Sequence, residues 1–399
     1  MGSLRQSCRT VGLSAAIATL VLLSAAHVAF AQSDTLSSLK VPELTDAEQL
    51  LSLIDPANVV AVQDRYAVLE WEGPRPRHLL YESTAFDEVE SLLRELSTRP
   101  RGDYPATVYW YAIESLAEVR DDVAVESQRA IMDLWCKNSK SHYPWLVRGA
   151  FNYEDGFRIR GRGWATEVAK DAWPKFRERI EWSQTDLLQA ARLNASDPAV
   201  FAMLISVDTA AGSTREVMEG HFEAVRELDP AYYPAWIAKL WYLLPRWHGT
   251  EESLREFLGE IEIQIKSHPW LFEVMLNYLD IVRGEQRDSF EWSDTKIYEP
   301  IKEAFGRRIS MHPDSVYLKQ RFALYAYRAE DWDRAVSLMD EAGDVYANSG
   351  WDSLETYNEY RARTYLKYAR GKSNAEILRY AKRALELAPD NYWVDYDVA

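Results

Sequence analysis

Arg160-Gly161-Arg162-Gly163-Trp164, Asp197-Pro198, Asp229-Pro230 and Pro245-Arg246-Trp247-His248-Gly249 punctuate the stretch from Tyr143 to Pro269, and the reading of that stretch decides the fold class. Between these marks, apolar residues recur every three or four positions, the spacing that puts them on one face of a helix. Phe176, Ile180, Leu187 and Ala191 share such a face on a helix expected to open at Pro174. Phe201 to Ala211 is apolar nearly all round, as in a helix covered on several sides. Ser213-Thr214-Arg215-Glu216 has the form of a capping box, followed by the stripe Val217, Met218, Phe222, Val225 and Leu228. Leu254, Phe257, Leu258, Ile261 and Ile265 repeat the pattern. The stretch therefore reads as helix, tight turn, helix, repeated.

Proline extends the reading along the chain. Pro198, Pro230, Pro269, Pro313 and Pro389 each follow an amphipathic segment, at intervals of 32, 39, 44 and 76 residues, the last equal to two units of 38. Proline stops the helix before it and costs little at the first position of the next. In the C-terminal third, Phe322, Ala323 and Ala326 face Trp332, Ala335, Met339 and Ala342 across a turn, with the alanines permitting close approach. Ser373-Asn374-Ala375-Glu376 caps a last helix that ends at Ala388-Pro389-Asp390, and the acidic, aromatic tail Asn391 to Ala399 is expected to cap it.

Toward the N-terminus the stripes continue through Phe86 to Leu96, Val108 to Val119 and Val123 to Trp135. Glu72-Gly73-Pro74-Arg75-Pro76 marks a break. Ahead of it, Val59, Val62, Tyr66 and Leu69 suggest a helix between Pro56 and Trp71, although Val59-Val60-Ala61-Val62 also suits a strand, and Thr45-Asp46-Ala47-Glu48 caps another. Arg5 and Arg9, the apolar run Val11 to Val28 and Ala29-Phe30-Ala31 have the form of a cleaved export leader. The expected order is a signal peptide over 1–31, a flexible and short helical segment over 32–74, a helical-repeat domain over 75–270 and tetratricopeptide-like repeats over 271–399. The fold class is all-α, an alpha-solenoid of stacked helical hairpins.

Residues 320 to 390 resemble tetratricopeptide repeats in a generic way. The block from about 145 to 260 resembles a narrower group, a bacterial family of helical, repeat-like proteins known as a domain of unknown function. The resemblance lies in Arg160-Gly161-Arg162-Gly163 with Ala165, Trp173 and Phe176, Leu188 and Ala191, the two Asp-Pro pairs, and Arg246-Trp247-His248-Gly249. It implies a fold and brings no activity.

The formal charge of −16 becomes −18 once the leader removes Arg5 and Arg9. Such a surface repels phosphate backbones, so nucleic acid is not expected as a partner, nor is stable membrane insertion after cleavage. Beyond the leader Cys136 stands alone, so no intrachain disulfide forms, and it reads as a buried small residue. His78, His142, His221, His248, His268 and His312 include no i, i+4 pair of the helical zinc type, so neither metal nor cofactor is expected.

Two turns are the candidate binding residues. Arg160, Arg162 and Trp164 place guanidinium groups on a glycine-rich loop ahead of a helix, where they would hold a carboxylate or phosphate with help from the free amides of the helix start; the plainer reading is a tight turn. Arg246, Trp247 and His248 offer an acid-base group or a sugar platform, or simply a packed turn followed by Thr250 as a helix cap. Aromatic residues make up 13% of the chain, enough to fill a core and also to line a groove. The expected function is a noncatalytic, exported protein-binding scaffold, periplasmic or secreted, with a protein or peptide partner. The alternative is a cell-envelope carbohydrate-active enzyme or glycan-binding protein.

Overall fold

The computed structural model describes Ala67–Val68 and residues 74–388, apart from 103, 120–123, 162, 286–289, 348–349 and 352. The leader, the Thr45 box, Arg162, Pro389 and the tail lie outside the described residues. The fold is all-α, with one exception: β1 (Ala67–Val68) pairs in parallel with β2 (Val345–Tyr346). That pairing corrects the helix expected over Pro56 to Trp71 at two of its positions, the rest lying outside the description. Extended form there is held by a partner far along the chain, which local spacing cannot identify.

The chain divides into two compact units, one spanning Trp71–Glu285 and the other holding Gln286–Ala399. The first contains α1 (Pro74–Arg77, followed by a wide turn to Glu82), α2 (Phe86–Thr98), α3 (Val108–Ala117), α4 (Val125–Asn138), α5 (Tyr143–Arg160), α6 (Ala172–Leu193), α7 (Pro198–Ala211), α8 (Arg215–Leu228), α9 (Tyr233–Leu243), α10 (Glu251–Gln264) and α11 (Phe272–Glu285). α5 and α6 form the longest hairpin, and α7 packs against α6, α8 and α9. Those neighbours explain why α7 is buried on nearly every side while α8 buries only Met218, Phe222 and Val225.

Caps set the boundaries. Asp197 caps α7 by accepting from Ala199 N at 2.9 Å, with Pro198 at its first position. α8 begins one residue later than the expected box, with Thr214 at the N-cap. The amide of Ser213 donates to the Asp208 carbonyl in closing α7, so it is not free to take the reciprocal bond from Glu216 that a box would need. α6 opens at Ala172, two residues before Pro174. Gly149 lies where α5 meets α6: a Cβ there would sit 2.7 Å from Leu187 Cγ, so the close approach of the two helices requires glycine.

The second unit contains α12 (Thr295–Met311), α13 (Val316–Arg328), α14 (Trp332–Ala342), α15 (Leu354–Ala369) and α16 (Asn374–Leu387). Phe305 and Phe322 stack at 5.0 Å between α12 and α13, and fully buried Ala323 and Ala335 lie in the α13 and α14 that pack together. Fully buried Gln320 donates to the Val345 carbonyl at 2.6 Å and accepts from Ala347 N at 2.9 Å, so one side chain satisfies the strand segment on both sides. Ser373 and Glu376 form the capping box of α16.

Candidate functional site

Three helices of the first unit turn polar stripes toward one another: Arg129 and Asp133 on α4, Arg148, Asn152 and Asp155 on α5, Arg179, Trp182 and Asp186 on α6. Spacings of three and four put each set on one helix face. Asp155 is 1% exposed and accepts from Arg129 Nη2 at 2.7 Å, Arg179 Nε at 2.8 Å, and Arg158 Nη2 and Nε at 2.7 and 3.0 Å. Arg148 donates to both oxygens of Asp186 at 2.6 and 2.9 Å and to Asp133 Oδ1 at 2.7 Å. Asn152 Nδ2 adds a bond to Asp186 at 2.9 Å, and its Oδ1 accepts from Arg129. Burial, and then the neighbouring Arg179, lower the Arg129 guanidinium from its ordinary value. Trp182 is flanked by the Arg129 and Arg179 guanidiniums at 5.0 and 4.1 Å, with 39% of its surface exposed.

This lattice ties α4, α5 and α6 into one block with its charges answered internally. It offers the solvent an aromatic face held between cations, a surface suited to contact. None of these residues was singled out from the sequence. The signal was present as Arg148-x-x-x-Asn152-x-x-Asp155 beside the apolar positions of one helix, but only the facing stripes give it meaning.

The predicted turns occupy separate places in the same unit, and no contact joins them among the described residues. Arg160 is the last residue of α5, and the next helix does not start until Ala172, so no helix N-terminus stands behind the loop. Its Nη1 donates to the Gly161 and Gly163 carbonyls at 3.1 and 3.3 Å while the guanidinium lies over Trp173. Trp164 is 64% exposed, its amide donating to Glu167 Oε2 at 2.9 Å. At the second turn, Arg246 lies over Trp241 and reaches Glu285 at 3.4 Å. Half-buried Trp247 donates its amide to the Leu244 carbonyl, and His248 Nε2 lies 2.8 Å from the Thr209 carbonyl in the last turn of α7. Thr250 caps α10 by accepting from Ser253 N at 3.1 Å.

Elsewhere the polar interior serves the joints. Asp197 accepts from Tyr109 and from His142 Nε2 at 2.8 Å, and fully buried Asp208 meets His221 Nδ1 at 2.7 Å. Burial pushes the Cys136 thiol up to about 12, so at neutral pH it carries no thiolate. No group of three metal-ligating side chains comes together among the described residues, and no described helix is long and apolar enough to cross a membrane.

Glu114 on α3 is 8% exposed and accepts from the Trp110 indole at 2.7 Å. Burial pushes its carboxyl well above the ordinary range despite that bond, and Glu154 adds to the rise. An unfolded chain ionises Glu114 near its ordinary value, so stability falls as pH rises past that point until the folded carboxyl also ionises. Glu114→Gln keeps the acceptor for Trp110 and removes this loss. The variant is expected to be more stable by about 1–2 kcal/mol at pH 7.5 and unchanged near pH 4. Thermal melts at the two pH values check both the gain and its disappearance.

No curated protein matches this chain. Residues 76–217 match the family model described as a domain of unknown function (DUF4034). The match takes in the α4 to α6 block, the Arg160 loop and Asp197-Pro198 and stops short of Asp229-Pro230 and the Arg246 turn, so the segment from α1 into α8 is similar to an uncharacterised family of that description.

Proposed function

We propose that this protein is a noncatalytic binding scaffold, an exported alpha-solenoid of tetratricopeptide-like hairpins that holds a protein or peptide partner. Its placement in the periplasm or outside the cell rests on the leader-like sequence of residues 1–31. One observation carries the binding reading: Trp164, 64% exposed, stands on the glycine-punctuated loop joining the two longest helices of its unit. A large aromatic side chain displayed from a short, internally bonded loop is the usual anchor of a protein contact, and tryptophan dominates such hot spots. Trp164 and Trp182 are the aromatic members among the strongly exposed large hydrophobics of the described residues, whereas rings such as Trp135, Trp236 and Tyr325 are core. That distribution favours a local anchor over a long aromatic groove for glycans.

Trp164→Ala is expected to leave helix content and melting temperature unchanged and to reduce recovery of the bound partner by about tenfold or more. Quantitative mass spectrometry of material co-purified with each form from envelope extract makes the comparison. Equal recovery of the same partners by both forms would remove the anchor and the reading with it.

A further inference from the structure

The unit holding Gln286–Ala399 contains a cleft of about 340 Å³ between α14, α15 and α16. That volume lies at the small end of pockets that take organic ligands, about 300–1,000 Å³. α16 supplies Arg379, Lys382 and Arg383, three cations on one helix face, in a chain whose net charge is −16. Arg383 is already engaged, donating to Asp344 and, at 3.0 Å, to Glu386. Lys382 has no hydrogen bond or ion pair among the described residues, and Arg379 has no ion pair there, donating to the Tyr380 hydroxyl at 2.8 Å with its guanidinium 4.6 Å over the same ring.

An acid faces the same space. Asp340 on α14 accepts from the Tyr365 hydroxyl through Oδ1, and its Oδ2 has no described partner. Tyr365 is fixed in turn by Arg361 Nε at 3.1 Å. The buried Tyr365 and Tyr380 rings, 5.5 Å apart and inclined by 31°, belong to the hydrophobic core and form the floor beneath the charged groups. A polyanion meets Asp340 and Glu386, and a simple cation meets Arg379, Lys382 and Arg383, so each is opposed by part of the lining.

We propose that this cleft binds a small zwitterion of the amino-acid class. The ligand carboxylate pairs with Lys382 and Arg379, and its ammonium donates to Asp340 Oδ2. The site is independent of the Trp164 anchor.

Titration of the full chain with L-phenylalanine, 3-phenylpropionate and phenethylamine by calorimetry tests the assignment, since the last two probes each lack one charge. L-Phenylalanine is expected to bind at least about tenfold more tightly than either. Lys382→Ala removes an exposed side chain, and Asp340→Asn keeps an oxygen for the Tyr365 hydroxyl, so neither disturbs the fold. Each is expected to weaken L-phenylalanine by about tenfold, while Asp340→Asn leaves 3-phenylpropionate as tight or tighter. Equal binding of the three probes, no binding of L-phenylalanine at about 10 mM, or variants that bind it like the wild type would each overturn the proposal.

Discussion

Asp155→Ala is expected to destabilise the unit Trp71–Glu285 by about 3–5 kcal/mol, because it leaves the charges of Arg129, Arg158 and Arg179 without their shared, 1% exposed counter-ion. In a unit of this size such a loss lowers the midpoint of thermal unfolding by about 6–20 °C. The origin of the effect is repulsion among desolvated guanidiniums. Arg179→Ala made on top of Asp155→Ala should therefore recover part of the loss, whereas Arg179→Ala alone should cost stability. A thermodynamic cycle of the two substitutions reads the sign directly. Strictly additive losses would mean that the three arginines do not act as one group around the aspartate.

Gly249→Ala is the second large effect, and its cause is backbone rather than charge. A Cβ at Gly249 would overlap the carbonyl of Leu243, and relief requires the 244–249 turn to move. The turn is held by the Trp247 and Gly249 amides on the Leu244 carbonyl at 2.8 and 3.4 Å, the His248 amide on the Tyr242 carbonyl at 3.1 Å, and the His248 ring on the Thr209 carbonyl at 2.8 Å. Movement breaks these together and loosens the junction between α7 and α9, at a cost of about 2–3 kcal/mol. His248→Ala removes one bond and is expected to cost about 1 kcal/mol. Denaturant titrations of the two variants test the order. A Gly249→Ala loss no larger than that of His248→Ala would show that the glycine is not needed for the close approach.

Much of the helical plan was legible along the chain. Pro198, Thr250 and Ser373 act within a few residues of themselves, through a fixed backbone angle or a side-chain oxygen on a free amide. Such local chemistry survives in sequence. Where the expectation differed, a neighbour in space had intervened. Thr214 stands at the N-cap of α8 while the Ser213 amide closes α7, and Ala67–Val68 is extended with Val345–Tyr346 paired alongside.

The candidate sites follow the same division. The exposed loop at Arg160 to Trp164 could be singled out because two glycines and two arginines around a tryptophan are unusual wherever they fall, although the sequence could not say that the loop ends one helix instead of opening the next. The Asp155 and Trp182 lattice was invisible, since each of its residues is an ordinary charged or aromatic position until α4, α5 and α6 face one another. The cleft around Lys382 likewise draws on α14, α15 and α16.

The sequence by itself determined an all-α chain cut into hairpins, because helix period, caps and prolines act over one or two turns. Only the tertiary structure decided which charges are answered and which are not, because ion pairing depends on distances of a few ångströms between side chains that are tens of residues apart.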